Sequence, residues 1–210
     1  MFITLDGGDG CGKSTQIRLL AEKLQSHGYE VVCCRDPGST PLGDAVRNIL
    51  LHRQELHIAD ITEMLLFSAA RSQLACEVIQ PALENGKIVL SDRFLISTFV
   101  YQCYAGGVSA KVVESISRAA VGDTLPDLGI VLDIPYEIAV QRVGHRAAPD
   151  RMECKGEEYH RRVREGFLHY AAAEPERYVV IDATPPPEEV AKAIEKIVAR
   201  RQVRLPKRVP

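Results

Sequence analysis

Five short runs along the chain are apolar at nearly every position: "FITLD" (2–6), "YEVVCC" (29–34), "KIVLSD" (87–92), "LGIVLDI" (128–134) and "YVVIDA" (178–183). Unbroken hydrophobicity over so few residues, rich in Val and Ile, predicts strands covered on both faces. The segments between them keep a helical period. Residues 13–26 set Ile17, Leu20, Ala21 and Leu24 on one side, and Gly28 follows as a stop. Residues 60–84 carry Ile61, Met64, Leu65, Ser68 and Ala69, then Ala75, Val78 and Ile79, before "ENGK" ends the run. "TPPP" (184–187) reads as a loop before a last helix starting near Glu188. Strand alternating with helix predicts βαβ units, right-handed crossovers and an α/β fold around a mostly parallel sheet. Such sheets collect ligands at the carboxyl ends of their strands. Asp6–Gly7, Arg35–Asp36, Asp92–Arg93 and Asp133 all fall at strand ends.

Composition narrows the function classes. A chain of 210 residues suits one well-packed domain, read here as 1–200 with a basic tail at 201–210. Its 46% hydrophobic and 26% charged residues argue against disorder. A formal charge of −2 gives no reason to expect a nucleic-acid partner, and the tail reads as a solvated end. No run of about 18 apolar residues predicts a membrane span. The strand-like "MFITLD" start lacks the pattern of an export signal, which predicts a cytoplasmic protein. The six cysteines form neither a C-x-x-C pair nor a Cys/His ligand spacing, so reduced thiols are expected. Cys33 and Cys34, adjacent on a strand, point to opposite faces.

"GGDGCGKST" (7–15) satisfies G-x-x-x-x-G-K-[ST] through Gly7, Gly12, Lys13 and Ser14, after a strand and before a helix. Glycines let successive backbone N–H groups turn inward, and the helix N-terminus adds its positive dipole end. Gly7, Gly8, Asp9, Gly10, Cys11, Gly12, Lys13, Ser14 and Thr15 are thus the expected ATP-binding residues, with Ser14 a ligand for Mg²⁺. The expected architecture is a P-loop NTPase fold: a five-stranded parallel sheet with helices on both faces. No N-K-x-D segment for reading guanine is present, which disfavours a GTPase switch. A phosphotransferase needs an acceptor pocket elsewhere in the chain.

Further stretches occur in order: "RDPGST" (35–40), "LLFSAARSQ" (65–73), "SDRFLISTFVYQ" (91–102), "PDLGIVLDIPYEIAVQR" (126–142) and "DRMECKGEEYHRRVREGFLHYA" (150–171). With the phosphate loop they resemble thymidylate kinases. The resemblance implies Mg²⁺-dependent phosphoryl transfer from ATP to dTMP, by a homodimer acting on small nucleotides.

It also assigns roles. Phe67 and Arg71, one helical turn apart, are able to stack on a base and bond its carbonyls, though alone they also read as a core Phe beside a solvated Arg. By resemblance they stack on and read thymine. Asp92 suits Mg²⁺ or its waters, and Arg93 contacts the acceptor phosphate; the bare alternative is a local ion pair. Ser97, Thr98, Tyr101 and Gln102 share the next helix, with Thr98 and Gln102 near the base edge and Tyr101 near the sugar. Asp36 and Arg47 join the pocket, Arg47 as a phosphate ligand. Asp9 is a carboxylate in an anion cradle; by resemblance it lies near the acceptor's 3′-hydroxyl and the metal.

The loop holds no arginine to offset charge developing on the transferred phosphoryl group. A short lid at 143–157 is the expected source, with Arg146 and Arg151 the candidates and a solvated loop the alternative. The chain departs from the family pattern at Phe94, at Asp36 and Ser39, at Cys103 and at Phe167. A deoxynucleoside kinase, acting on a neutral 5′-hydroxyl, and a nucleotide-dependent switch are the competing readings.

Overall fold

In a computed structural model that describes residues 1–144 and 150–201, the five apolar runs form one parallel sheet. The strands are β1 (Phe2–Asp6), β2 (Val31–Arg35), β3 (Ile88–Asp92), β4 (Leu128–Asp133) and β5 (Tyr178–Asp182), in the order β2-β3-β1-β4-β5. Register aligns the polar strand ends: Leu5 and Arg35 both pair with Asp92, Asp6 with Val131, and Asp133 with Asp182. One rim of the sheet therefore carries the chemistry, as the strand-end clustering predicts.

Alternate residues of the inner strands enter different cores. Ile3, Leu5, Leu90, Ile130 and Leu132 pack with α1 (Lys13–Ser26) and α9 (Pro187–Arg200). On the opposite face Phe2 and Val89 meet α3 (Asp60–Leu74) and α4 (Gln80–Glu84), and Val131 meets α8 (Glu157–Ala173). Coverage on both faces holds for β1, β3 and β4 but fails at the edges. Cys33 and Arg35 of β2 and Val180 of β5 are exposed, because an edge strand has a neighbour on one side only. Cys33 and Cys34 do split between solvent and core, and all six cysteines are unpaired.

Two helices depart from regular geometry. The run 60–84 divides into α3, a π-helical turn at Ala75–Ile79, and α4. Pro81 lies at the start of α4 and has no N–H for an i→i−4 bond, so the ladder is re-spaced there. The helix carrying Ser97 to Gln102 is likewise α5 (Leu95–Thr98) followed by a π-helical turn at Phe99–Tyr104. Between the strands, α2 (Pro41–His52) begins at Thr40, whose Oγ1 accepts the Gly43 N–H at 2.9 Å. Helices α6 (Ala110–Val121) and α7 (Tyr136–Val143) complete the set among the described residues.

Candidate active site

The phosphate loop follows β1 directly. Gly7, Gly10 and Gly12 have φ of 138°, 76° and 95°, a region costly for side chains. At two of them space forbids a side chain as well: a Cβ on Gly7 would stand 2.5 Å from the Leu132 carbonyl oxygen, and one on Gly10 2.8 Å from that of Ala139. At the start of α1, Lys13 donates from Nζ to the Gly8 and Gly7 carbonyls at 2.9 and 3.3 Å. Asp9, Gly10, Gly12, Lys13, Ser14 and Thr15 border a polar cleft together with Arg35, Asp92 and Arg142. Cys11 is buried beneath the loop, 3.6 Å from Lys13 Nζ. Gly7 and Gly8 face a second, more apolar cleft of about 350 Å³ against α7 and α8, where Asp133 and Arg164 are already paired at 2.7 and 2.9 Å. Arg142, outside the leading candidates from sequence, is fixed at the cleft by the Ala183 and Thr184 carbonyls at 2.9 and 3.1 Å.

Of the three metal candidates, two meet. Ser14 Oγ donates to Asp92 Oδ2 at 2.8 Å, so hydroxyl and carboxylate converge at the phosphate-loop helix. These hard oxygen donors fit Mg²⁺, which uses one or two protein ligands plus water and phosphate. Asp9 instead bonds Arg93.

Every residue predicted for the acceptor comes to one cleft: Asp9, Asp36, Arg47, Phe67, Arg71, Arg93, Ser97, Thr98, Tyr101 and Gln102. Pro37, Asp150 and Met152, which lie within the quoted stretches but carried no assigned role, and Leu51, outside all of them, complete its wall. Arg71 is only 2% exposed. Its guanidinium bonds Asp36 and donates to Thr98 Oγ1 at 2.6 Å, so the alternative of a solvated arginine fails and Arg71 is a fixed donor in the wall. Arg47 donates to the Pro37 carbonyl at 3.1 Å. Ser97 turns its hydroxyl to buried Asp6, 2.8 Å away.

Arg93 links the two clefts. Its φ of 69° is unusual for a residue with a side chain. Ser91 Oγ supports the turn by donating to the Arg93 carbonyl at 2.8 Å. The guanidinium reaches the Gly7 carbonyl and Asp9 Oδ1, each at 2.7 Å, and lies 5.0 Å above the Tyr101 ring. Burial disfavours the charged Asp9 carboxylate, but Arg93, Lys13 and His160 outweigh it and hold the group below its usual range. Among the family departures, Phe94 is fully buried edge-on to Phe2, with ring centroids 4.9 Å apart, and Phe167 packs edge-on to Tyr101 at 6.0 Å.

Of the lid candidates, Arg146 lies outside the described residues, as do residues 145–149 of the expected lid and 202–210 of the basic tail. Arg151 donates from Nε to the Leu50 carbonyl at 2.8 Å and pairs with Glu63; it borders neither the acceptor nor the phosphate-loop cleft. Glu63 escaped the motif reading, since one acid on a helix looks like a solvated position.

The thymidylate kinase family model matches residues 5–194. Thymidylate kinase of Trichlorobacter lovleyi is 42% identical over 207 residues, spanning 96% of this chain and 98% of that one. That of Symbiobacterium thermophilum is 45% identical over 199 residues, 94% and 92% of the two chains. The crystal structure of thymidylate kinase from Ehrlichia chaffeensis superposes with a TM-score of 0.76 at 33% identity, covering 94% of this chain and 98% of that one.

Proposed function

This chain belongs to the thymidylate kinase family, and we propose the following division of labour for its ATP-dependent phosphorylation of dTMP to dTDP. The carrying observation is that the ten acceptor-cleft residues converge on the phosphate loop through the Arg93–Asp9 pair. Transfer requires that juxtaposition, because the acceptor's phosphate oxygen attacks the γ-phosphorus in line.

Loop N–H groups and Lys13 hold the donor phosphates. Ser14 and Asp92 would hold Mg²⁺, which would supply positive charge to neutralise the reacting phosphates. Arg93 and Arg47 fix the acceptor phosphate, Phe67 stacks on the base, and Arg71, Thr98 and Gln102 read its edge. Tyr101 and Asp9 border the sugar. Arg151 holds the C-terminal part of the 143–157 lid segment through Leu50 and Glu63. A homodimer is supported by Ile61 and Leu65, each 47% exposed on α3. The unpaired thiols favour cytoplasmic work. No helix among the described residues is long and apolar enough to cross a membrane.

The deciding experiment is a steady-state panel over dTMP, dUMP, dCMP, dGMP, dAMP and thymidine with Mg²⁺–ATP. The proposal expects the highest kcat/KM on dTMP. Preference for another monophosphate overturns the substrate, and preference for thymidine makes the enzyme a deoxynucleoside kinase.

A further inference from the structure

We propose that Glu63 is a specificity-determining positioning residue: by fixing the orientation of the Gln102 amide, it makes the acceptor cleft select pyrimidines bearing a hydrogen on N3 over 4-aminopyrimidines. The inference rests on reading this cleft as the acceptor-nucleotide site.

Glu63 sits on α3 and is 2% exposed. Its carboxylate gathers three donors from distant parts of the chain. Gln102 Nε2 and Lys155 Nζ each stand 3.1 Å from Oε1, and Arg151 bonds Oε2. Arg151 is itself anchored at the end of α2 by the Leu50 and Leu51 carbonyls, at 2.8 and 3.0 Å. Burial alone would drive this acid neutral, but Lys155, Gln102 and Arg151 together hold it below its usual range.

The consequence for Gln102 is chemical. An ionised carboxylate only accepts hydrogen bonds, so the amide must turn its NH₂ end to Glu63. The carbonyl oxygen is then what this cleft-lining side chain offers to a bound base. Thymine and uracil carry an N3–H that donates to such an oxygen. Cytosine presents a lone pair at N3, leaving two acceptors face to face in a desolvated site. Arg71 in the same wall is donor-only, which suits a carbonyl at C4 and opposes an amino group there. A glutamine at 63 has both an acceptor and a donor end, so Gln102 is free to reverse.

The test is Glu63→Gln, with kcat/KM read on dTMP, dUMP and dCMP and KM read for ATP. The dTMP:dCMP ratio is expected to fall by about tenfold or more, the scale of a base-edge hydrogen-bond mismatch. The KM for dTMP should rise while that for ATP stays within about twofold, and dUMP should follow dTMP. In a Gln102→Leu background the same change should move the ratio no further. Glu63→Asp keeps the charge for Arg151 and Lys155 but withdraws it by one methylene from Gln102. It serves where Glu63→Gln does not accumulate, and an intermediate ratio is expected. A ratio unmoved in the folded variants, with all acceptors slowed alike, means a purely structural role and overturns the proposal. Wild-type preference for dTMP over dCMP tests the acceptor-site reading separately.

Discussion

Arg93 on the β3–α5 corner and Asp9 in the phosphate loop are joined by a 2.7 Å hydrogen-bonded ion pair. The same guanidinium holds the Gly7 carbonyl, so one planar fork fixes the spacing between the donor loop and the acceptor cleft. Lysine retains the charge and loses the fork. Arg93→Lys should therefore lower kcat by about 10²–10³, the scale of one preorganised donor, with little change in Tm. A variant within about threefold of wild type would remove Arg93 from the transfer step.

Phe67 is half-buried on the acceptor-cleft wall, one helical turn before Arg71. Stacking on a base is worth about 1–3 kcal/mol, so Phe67→Ala should raise the KM for dTMP by about 5–150-fold. The KM for ATP should barely move, because the ring takes no part in the phosphate-loop cleft. Equal rises in both would show that Phe67 supports the fold and does not stack.

Much of this site was legible in sequence because local chemistry dictates it. The phosphate loop announces itself through glycines that its positive φ angles require. The inner strands are readable because burial on both faces leaves no polar alternation. Edge strands β2 and β5 misled for the same reason, since Val180 is apolar in sequence yet 42% exposed. The π-helical turns left no mark beyond Pro81, because hydrophobic periodicity does not resolve one re-spaced turn. Glu63 was invisible because its meaning is tertiary: Gln102, Arg151 and Lys155 lie 39, 88 and 92 residues further along the chain. No local window contains that cluster.

The Glu63 cluster also sets a pH dependence. Its carboxyl is held below the usual 4.5 in the folded chain, so folding binds it in the ionised form. That contribution is complete above the unfolded value and is lost as pH falls through the folded one. Urea midpoints should drop below about pH 4.5, and the drop should be shallower in Glu63→Gln, which has no proton to take up. Parallel pH profiles for the two proteins would deny the group any such linkage.

Gly129 offers a test of the sheet that carries the site. It lies in β4, and a Cβ built there stands 2.1 Å from the Tyr178 ring, which covers the glycine from β5. Tyr178 is 8% exposed and packs in the core with Val131 and Phe167, so its ring has little room to yield. Gly129→Ala should then cost about 1–3 kcal/mol, as overpacking of a core does. For a chain of this size that lowers Tm by about 2–10 °C. Because the clash is with the ring itself, Gly129→Ala combined with Tyr178→Leu should recover part of the loss, by an amount that is non-additive with the single changes. Strict additivity would place the cost in the β4 backbone instead. The catalytic rim lies beyond the Asp133 end of the strand, so kcat on dTMP at low temperature should stay near wild type in the single variant. An unchanged Tm would mean that ring and strand separate without cost, contrary to the packing that seats β5 against β4.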